Sequence, residues 1–144
     1  MENFKIKVKK IAPDAVIPKF ALVGDAGMDV HSIEDIVLHP GERVSCRTGI
    51  AMELPVGYVA LVWDKSSLSH KAGVKILGGV FDSNYRGEYF IGLANLSKET
   101  FNINKGQKIA QVIFHKIETP TIEEVDELGE SERGDKAFGS TGIF

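Results

Sequence analysis

Apolar and polar residues alternate along much of the chain. Residues 4–9 alternate apolar and basic side chains, which is the pattern of a strand with one buried face. Turn-forming groups such as Pro40-Gly41 and Asn104-Lys105-Gly106 separate the apolar segments. The pattern predicts further strands at Ile36–Leu38, Arg43–Arg47, Ile50–Leu54, Tyr58–Trp63, Tyr89–Asn95, Phe101–Ile103 and Lys108–Lys116. Many short strands with turns between them indicate an all-β sandwich, jelly roll or barrel.

Little helix is predicted. Residues 66–72 can form a short helical turn, which Gly73 would end. Over Ile122–Leu128, acidic residues stand between apolar ones. This pattern is compatible with an extension of the last strand or with a brief helix, and the sequence leaves both open.

The composition changes after about Asp126. Residues 129–136 are polar and contain glycine, so they can bury little apolar surface. Residues 137–144 combine aromatic residues, glycines and hydroxyls. We therefore predict a β-domain over residues 1–126 and a C-terminal arm over residues 127–144. The arm either closes over a ligand or docks on the body through its phenylalanines, and the physics of the sequence favours neither.

Composition restricts the classes of protein. With 144 residues, 43% hydrophobic and 26% charged, the chain fits one globular domain. A net charge of -3 without a basic run argues against a nucleic-acid partner. Cys46 is the single cysteine, which excludes an intramolecular disulfide, and the four histidines lack zinc-site spacing. No segment reads as a secretory signal or a membrane span, so we expect a cytoplasmic protein, or one inside a host cell if viral.

Two early segments carry side chains suited to metal or phosphate. Asp29 follows the small-residue turn of residues 25–28, where a carboxylate can hold metal-bound water or simply cap the turn. Lys65, Ser66 and Ser67 follow a predicted strand. They can donate to phosphate oxygens, or they can be a solvated lysine and a helix cap.

A predicted hairpin over residues 78–88 is the third candidate. Asp82 lies at the end of its entering strand, where a rigid scaffold would hold a general base. Tyr85 offers a flat apolar face to a sugar or base. Free backbone groups at the mouth can imitate a base-pairing edge. The alternative is an ordinary hairpin in which Asp82 stabilises the turn.

The last two candidates lie towards the C-terminus. Gln111 is the polar interruption of an apolar strand, and it can bond a phosphate oxygen or face solvent. In the arm, Arg133 can clamp a terminal phosphate, Ser140 and Thr141 can donate to it, and Phe138 can stack on a base.

In this order, the five segments resemble the five motifs of the trimeric dUTP diphosphatase family. The resemblance spans Asp25 to Gly142, and its strongest parts read GGVFDSNYRGE, KIAQ and FGSTG. It implies a jelly-roll-like β-domain with a flexible C-terminal arm, assembled as a homotrimer with composite active sites at subunit interfaces. The implied reaction is Mg²⁺-assisted hydrolysis of dUTP to dUMP and pyrophosphate. It keeps uracil out of DNA and supplies dUMP for dTMP synthesis.

The resemblance also implies a role for each matched residue. Asp82 would activate the attacking water, and Asp29 would hold the water shell of magnesium. Tyr85 would pack under the deoxyribose and exclude a 2′-hydroxyl. The implied substrate-binding set is Lys65, Ser66, Ser67 and Gln111 on the phosphates, the Gly79 and Val80 backbone on uracil, and Arg133, Phe138, Gly139, Ser140 and Thr141 in the closing arm.

The chain departs from the family pattern without losing a catalytic group. Lys65 stands in place of an arginine and loses its bidentate fork. Ser67 replaces a glycine, Asn84 replaces a second aspartate, and Lys136-Ala137 replaces two glycines. These changes bear on affinity and arm flexibility more than on the type of reaction.

Two rival functions share the scaffold. The dCTP deaminase family has this fold and trimer but uses a glutamate in a stretch like G-x-x-T-x-E, where this chain has Gly92. The other rival is a catalytically idle nucleotide sensor. Such a binder needs no positioned base, so Asp82 and the complete arm argue against it.

Overall fold

The computed structural model describes residues 4–144 as an almost entirely β-stranded chain. One short helical segment, Ser67–Lys71, is wound as a π-helix. The strands are β1 (Lys7–Lys10), β2 (Met28–His31), β3 (Ile36–Leu38), β4 (Arg43–Arg47), β5 (Ile50–Glu53), β6 (Tyr58–Trp63), β7 (Val74–Leu77), β8 (Val80–Asp82), β9 (Phe90–Asn95), β10 (Phe101–Ile103) and β11 (Lys108–Lys116). The all-β prediction is confirmed.

The strands pair antiparallel in two main sheets. One sheet has the order β2-β11-β6-β8 and the other β4-β9-β7, while β1 pairs with β5 and β10 with β3. Neighbours in both sheets are distant in sequence, as in jelly-roll topologies. The long strand β11 joins β2 to β6, so residues from three separate parts of the chain meet along it.

The core lies beneath the alternating inner faces of these strands. In β9, Ile91 and Leu93 are fully buried, whereas Phe90, the first residue of the strand, is exposed. In β11, Ala110 and Val112 are buried on either side of half-buried Gln111. Burying each large apolar side chain contributes roughly 1.5–3 kcal/mol. This alternation fixes the register, because a shift of one residue would expose the buried set.

Some sequence predictions need correction. The first strand begins at Lys7 rather than at Phe4, whose ring stacks on Tyr58 at a centroid distance of 4.2 Å. The strands β2 and β7 were not predicted. Ile122–Leu128 forms neither a strand nor a helix, because its side chains are exposed and find no surface to cover.

The C-terminal segment does not pack on the body of its own chain. The last strand ends at Lys116, and every residue from 115 to 144 is exposed. Docking through the phenylalanines is therefore wrong for the single chain, since Phe138 and Phe144 are both fully exposed. The division between residues 126 and 127 stays a prediction. No helix within residues 4–144 has the length and apolarity to span a bilayer.

Candidate active site

A polar cavity of about 240 Å³ collects residues from three of the predicted segments. Asp29 on β2 lies opposite Gln111 on β11, and Gln111 lies opposite Trp63, the last residue of β6. The chain leaves β6 there and continues into Lys65 and Ser66, which line the cavity. Its lining consists of Ala21, Asp25, Ala26, Gly27, Asp29, Lys65, Ser66 and Gln111.

Asp29 is held by two lysines at the floor of this cavity. Its side chain is 11% exposed; Lys65 Nζ bonds Oδ1, and Lys108 Nζ lies 2.9 Å from Oδ2. Burial by itself would raise the pKa of the Asp29 carboxyl, but the hydrogen bonds from Lys65 and Lys108 outweigh it and lower the pKa. Two ammonium groups against one carboxylate leave the cluster positive, which suits a polyanionic ligand.

Asp64 fixes the turn that carries the phosphate-binding candidates. Its Oδ1 accepts the backbone N–H of Ile76 at 2.7 Å, and its Oδ2 pairs with Lys75 Nζ at 2.5 Å. Its carbonyl accepts the side-chain amide of Gln111 at 2.8 Å. These bonds tie the end of β6 to β7 and β11, directly before Lys65.

Ser66 and Ser67 follow this anchored turn and are both exposed. Within the described chain, the Ser66 hydroxyl makes no capping hydrogen bond to the helix that it precedes. Ser66 lines the polar cavity, whereas Ser67 begins the short helix beside it. The Ser66 hydroxyl is thus available to a ligand in the cavity.

A second cavity, of about 200 Å³, lies beside the start of β8. Gly79 and Val80 line it together with the end of β6. Gly79 has φ +120 and its carbonyl accepts the Val62 N–H at 2.8 Å. A Cβ on Gly79 would lie 2.7 Å from the Val62 carbonyl oxygen, so only glycine fits this approach.

The predicted hairpin over residues 78–88 is wrong, because β8 pairs with β6 and residues 83–89 form no second strand. Asp82 and Tyr85 instead lie on a loop of residues 82–88, the Asp82 loop. Asp82 ends β8, is paired with Val59, and is exposed. Its carbonyl accepts the Tyr85 N–H at 3.1 Å, which closes the turn. The Tyr85 ring lies tilted against Phe81 and Tyr89, with centroids 5.9 and 6.1 Å apart, and is 38% exposed. A carboxylate on a strand end thus stands beside a supported aromatic face.

One chain does not bring Asp82 to the Asp29 cluster. Asp82 lies at the level of Val59 on β6, and Asp29 lies at the level of Trp63. Four residues along a strand span about 13 Å, and three strand spacings across the sheet add about 14 Å in the perpendicular direction. The Asp82 loop and the polar cavity are therefore separate half-sites in a single chain.

The predicted arm residues form a third, separate group. Arg133, Ser140 and Thr141 line a shallow cavity of about 350 Å³ together with Glu132 and Lys136. The Arg133 Nε donates to the Lys136 carbonyl at 2.8 Å. Phe138 is fully exposed beside Gly139, whose φ is +82. No arm residue lines either body cavity in the part of the chain that the structure describes.

The polar cavity fits a metal ion that arrives with a phosphate ligand. Within residues 4–144, no group of three or more His, Cys, Asp or Glu side chains is arranged to hold an ion by itself. Asp25 and Asp29 are the carboxylates of the lining. Mg²⁺ in nucleotide sites keeps several waters and binds substrate phosphates with one or two carboxylates. Asp29 could hold such an ion through a water molecule if Lys65 and Lys108 bound the phosphates instead of its carboxylate.

Sequence reasoning missed two residues of this cluster, Asp64 and Lys108. Asp64 stands next to Lys65 in the sequence, but its anchoring role depends on contacts with β7 and β11. Lys108 begins β11, and its pairing with Asp29 depends on the register between β11 and β2. The sequence signal that could have identified Lys108 is its position three residues before Gln111 on the same strand.

Replacing Asp29 by asparagine should destabilise the protein in a pH-dependent way. The folded-state pKa of Asp29 is lowered, so its stabilising effect is present above its unfolded-state pKa and is lost as the pH falls through the folded-state value. We expect Asp29→Asn to lower the free energy of unfolding by about 1–3 kcal/mol at pH 7. The difference from the parent should shrink below about pH 4.

Urea unfolding at pH 7 and at pH 3 measures this difference. Asp126→Asn is the matched control, because Asp126 is exposed in a segment without regular structure. It should leave the unfolding curve unchanged at both pH values. A loss from Asp29→Asn that is equal at pH 7 and pH 3 would mean that its charge is not what stabilises the cluster.

Comparison with known proteins agrees with these features. The dUTPase family model matches residues 14–142. The deoxyuridine 5'-triphosphate nucleotidohydrolase of Clostridioides difficile is 49% identical over 142 residues, covering 97% of this chain and 99% of its own. The enzyme of that name from Nautilia profundicola is 43% identical over 140 residues, covering 96% and 99%.

Solved structures give the same result. A mutant dUTPase of Staphylococcus bacteriophage 80alpha with dUpNHpp superposes with a TM-score of 0.91 at 30% identity, covering 96% of this chain and 99% of that one. A mutant dUTPase from phage phi11 of S. aureus, studied for its coordination of a structural Mg(II) ion, has a TM-score of 0.82 at 28% identity, with 88% and 99% covered. The predicted resemblance is confirmed, and the chain belongs to the dUTPase family.

Proposed function

We propose that the protein hydrolyses dUTP to dUMP and pyrophosphate, using Asp82 as the general base. The observation that carries the proposal is the Asp82 loop, where Asp82 stands on the end of a paired strand, three residues before the partly exposed Tyr85. Relatives that match nearly the whole chain are named for this reaction. A neighbouring structure contains the nucleotide analogue dUpNHpp.

The proposed reaction begins at the Asp82 loop. The Asp82 carboxylate takes a proton from a water molecule, whose oxygen attacks the α-phosphorus. The bond from that phosphorus to its bridging oxygen breaks, and pyrophosphate leaves. The Tyr85 ring lies under the deoxyribose. Backbone groups of Gly79 and Val80, which line the adjoining cavity, read the uracil edge.

The polar cavity receives the phosphates. Lys65 and Ser66 donate to phosphate oxygens, and Gln111 donates through the N–H that Asp64 does not use. The lysines pass from Asp29 to the phosphates, which frees the Asp29 oxygens. When bound with the triphosphate, magnesium would supply charge neutralisation for the leaving pyrophosphate, and Asp29 is the residue that would hold it through water.

Complete sites require more than one chain. Asp82 acts at the α-phosphorus while Asp29 and Lys65 act on the same triphosphate, yet these groups lie well over 10 Å apart along the sheet of one chain. A second copy must bring its Asp82 loop to the polar cavity. The exposed arm, with Arg133, Phe138 and Thr141, supports closure over a site formed by other copies. A homotrimer with interfacial sites satisfies these requirements.

Of the two rivals, the deaminase finds no support in the packing. Gly92 lies in β9 between Ser45 and Leu77. A Cβ there would lie 2.9 Å from the Leu77 carbonyl oxygen. The backbone thus has no room for a catalytic glutamate at this position.

A substrate panel tests the proposal. The protein is incubated with Mg²⁺ and dUTP, dCTP, UTP or dTTP, and pyrophosphate, ammonia and nucleotides are measured. We expect dUMP and pyrophosphate from dUTP, with much slower turnover of the other three. Ammonia from dCTP would establish the deaminase instead. Binding of dUTP without products would leave a nucleotide sensor.

A further inference from the structure

We propose that the ion pair between Arg47 and Glu88 positions Tyr85 and thereby sets the discrimination between deoxyribose and ribose. The inference rests on the proposed function, because it concerns the face of Tyr85 that packs against the sugar. Neither Arg47 nor Glu88 lines the polar cavity or the cavity beside β8. They act on the substrate only through the tyrosine.

Tyr85 depends on the Glu88 backbone for its position. Its hydroxyl donates to the Glu88 carbonyl at 2.8 Å. Its ring packs against Phe81 and Tyr89 only at tilted angles of 50° and 40°, without parallel stacking. A Cβ on Gly87 would overlap the Tyr85 hydroxyl, so the loop is shaped around this hydrogen bond. A displacement of the Glu88 carbonyl would therefore also displace the Tyr85 ring.

Arg47 holds Glu88 in place with two hydrogen bonds. Arg47 Nε and Nη2 each lie 3.1 Å from one oxygen of the Glu88 carboxylate, in the bidentate geometry that fixes direction as well as distance. The Glu88 side chain is only 8% exposed. Its buried charge has Arg47 as its cationic partner, so loss of the arginine would leave it uncompensated and displace the residue.

Arg47 is itself fixed on the sheet. It is the last residue of β4 and pairs with Phe90 on β9. Its backbone N–H donates to Glu34 Oε2 at 3.1 Å, and the next residue, Thr48, donates its hydroxyl to the Tyr89 carbonyl at 2.6 Å. A rigid path therefore runs from the β4–β9 ladder through Arg47 and Glu88 to the Tyr85 hydroxyl.

This path has a consequence for specificity. A tyrosine under the sugar excludes a 2′-hydroxyl only if its ring cannot retreat. A loosened ring costs little for dUTP, which needs only the apolar face, but it opens space for UTP. Steric discrimination of this size is worth roughly 10- to 200-fold, so partial loosening should remove about tenfold of it.

The test compares kcat/KM for dUTP and UTP in Arg47→Met, Tyr85→Phe and the double variant. We expect the dUTP-to-UTP ratio to fall about tenfold in each single variant, with no further fall in the double variant, because both remove one path. Arg43→Met is the matched control, since Arg43 is an exposed arginine on the same strand that pairs with Ala94. It should keep the parent ratio.

A second variant guards against misfolding. Arg47→Met combined with Glu88→Gln removes both charges and leaves no buried unpaired carboxylate, so it should fold and show the same loss of ratio. A lower unfolding midpoint with an unchanged ratio in these variants would overturn the proposal and leave the pair a purely structural one.

A readout without turnover separates this proposal from the proposed function. With 3-fluorotyrosine incorporated, the ¹⁹F resonance missing in Tyr85→Phe identifies Tyr85. It should shift and broaden in Arg47→Met, while the Tyr58 resonance stays unchanged. A parent protein that does not hydrolyse dUTP would contradict the proposed function. An unchanged Tyr85 resonance in Arg47→Met would contradict only the positioning role of the ion pair.

Discussion

Replacing Asp82 by asparagine is expected to lower kcat for dUTP by roughly 10²- to 10⁴-fold, the contribution of a positioned general base. The amide has the shape of the carboxylate but cannot take a proton from water. Asp82 is exposed at a strand end and pairs in the backbone ladder with Val59, so the change should not disturb folding. Initial rates with Mg²⁺ and dUTP give kcat, and calorimetric titration with dUpNHpp gives binding.

The asparagine variant should still bind the analogue with nearly the parent affinity. Asp35→Asn is a suitable control, because Asp35 is an exposed aspartate whose contact is with the Lys105 backbone. It should keep parent rates. If Asp82→Asn retains more than a tenth of the parent kcat, another group must be the base.

The strands that the sequence predicted well are those with clean alternation and clear turns. Arg43–Arg47, Tyr58–Trp63 and Lys108–Lys116 have the predicted bounds, since turn-forming Pro or Gly residues precede each of them in the sequence. The strands β2 and β7 were missed. Length alone does not explain this, because β3 and β10 have only three residues each and were predicted with the observed bounds. In β2 a charged residue, Asp29, occupies a buried position, which interrupts the apolar pattern expected of an inner face.

The candidate site was predictable as a set of residue types, but not as an arrangement. The types at Asp29, Lys65 and Gln111 indicated phosphate and metal chemistry, and these residues do line one cavity. The second lysine on Asp29 comes from Lys108, 79 positions away along the chain. Such a contact follows from the register between β2 and β11, which includes a shift between Lys108 and Ala110 that no local pattern encodes.

The hydrogen bonds that hold the site residues in place could not be predicted from the sequence for the same reason. The Arg47–Glu88 pair joins residues 41 positions apart, and the Asp64 anchor reaches β7 and β11. From the sequence alone, a charged residue at a strand end is predicted to be an exposed surface residue. It becomes a positioning group only when the sheet brings its partner alongside.

The separation of the half-sites leads to the second large prediction, which concerns mixed assemblies. One inactive variant, Asp82→Asn, keeps an intact polar cavity. Another, Lys65→Met with Ser66→Ala, keeps an intact Asp82 loop. If each active site takes its Asp82 loop from one copy and its polar cavity from another, mixing the two variants should create some sites that carry neither defect.

Random trimers from an equal mixture should have about a quarter of their sites intact, because each site needs one particular variant at each of two positions. Co-refolding the two inactive proteins should therefore recover about a quarter of the parent activity per site, with each variant refolded alone as control. Size-exclusion chromatography would verify that assemblies form. Mixed trimers that stay inactive would place Asp82 and Lys65 of one chain at the same triphosphate, against the geometry of β6. Recovery would mean that the base and the phosphate donors come from different copies.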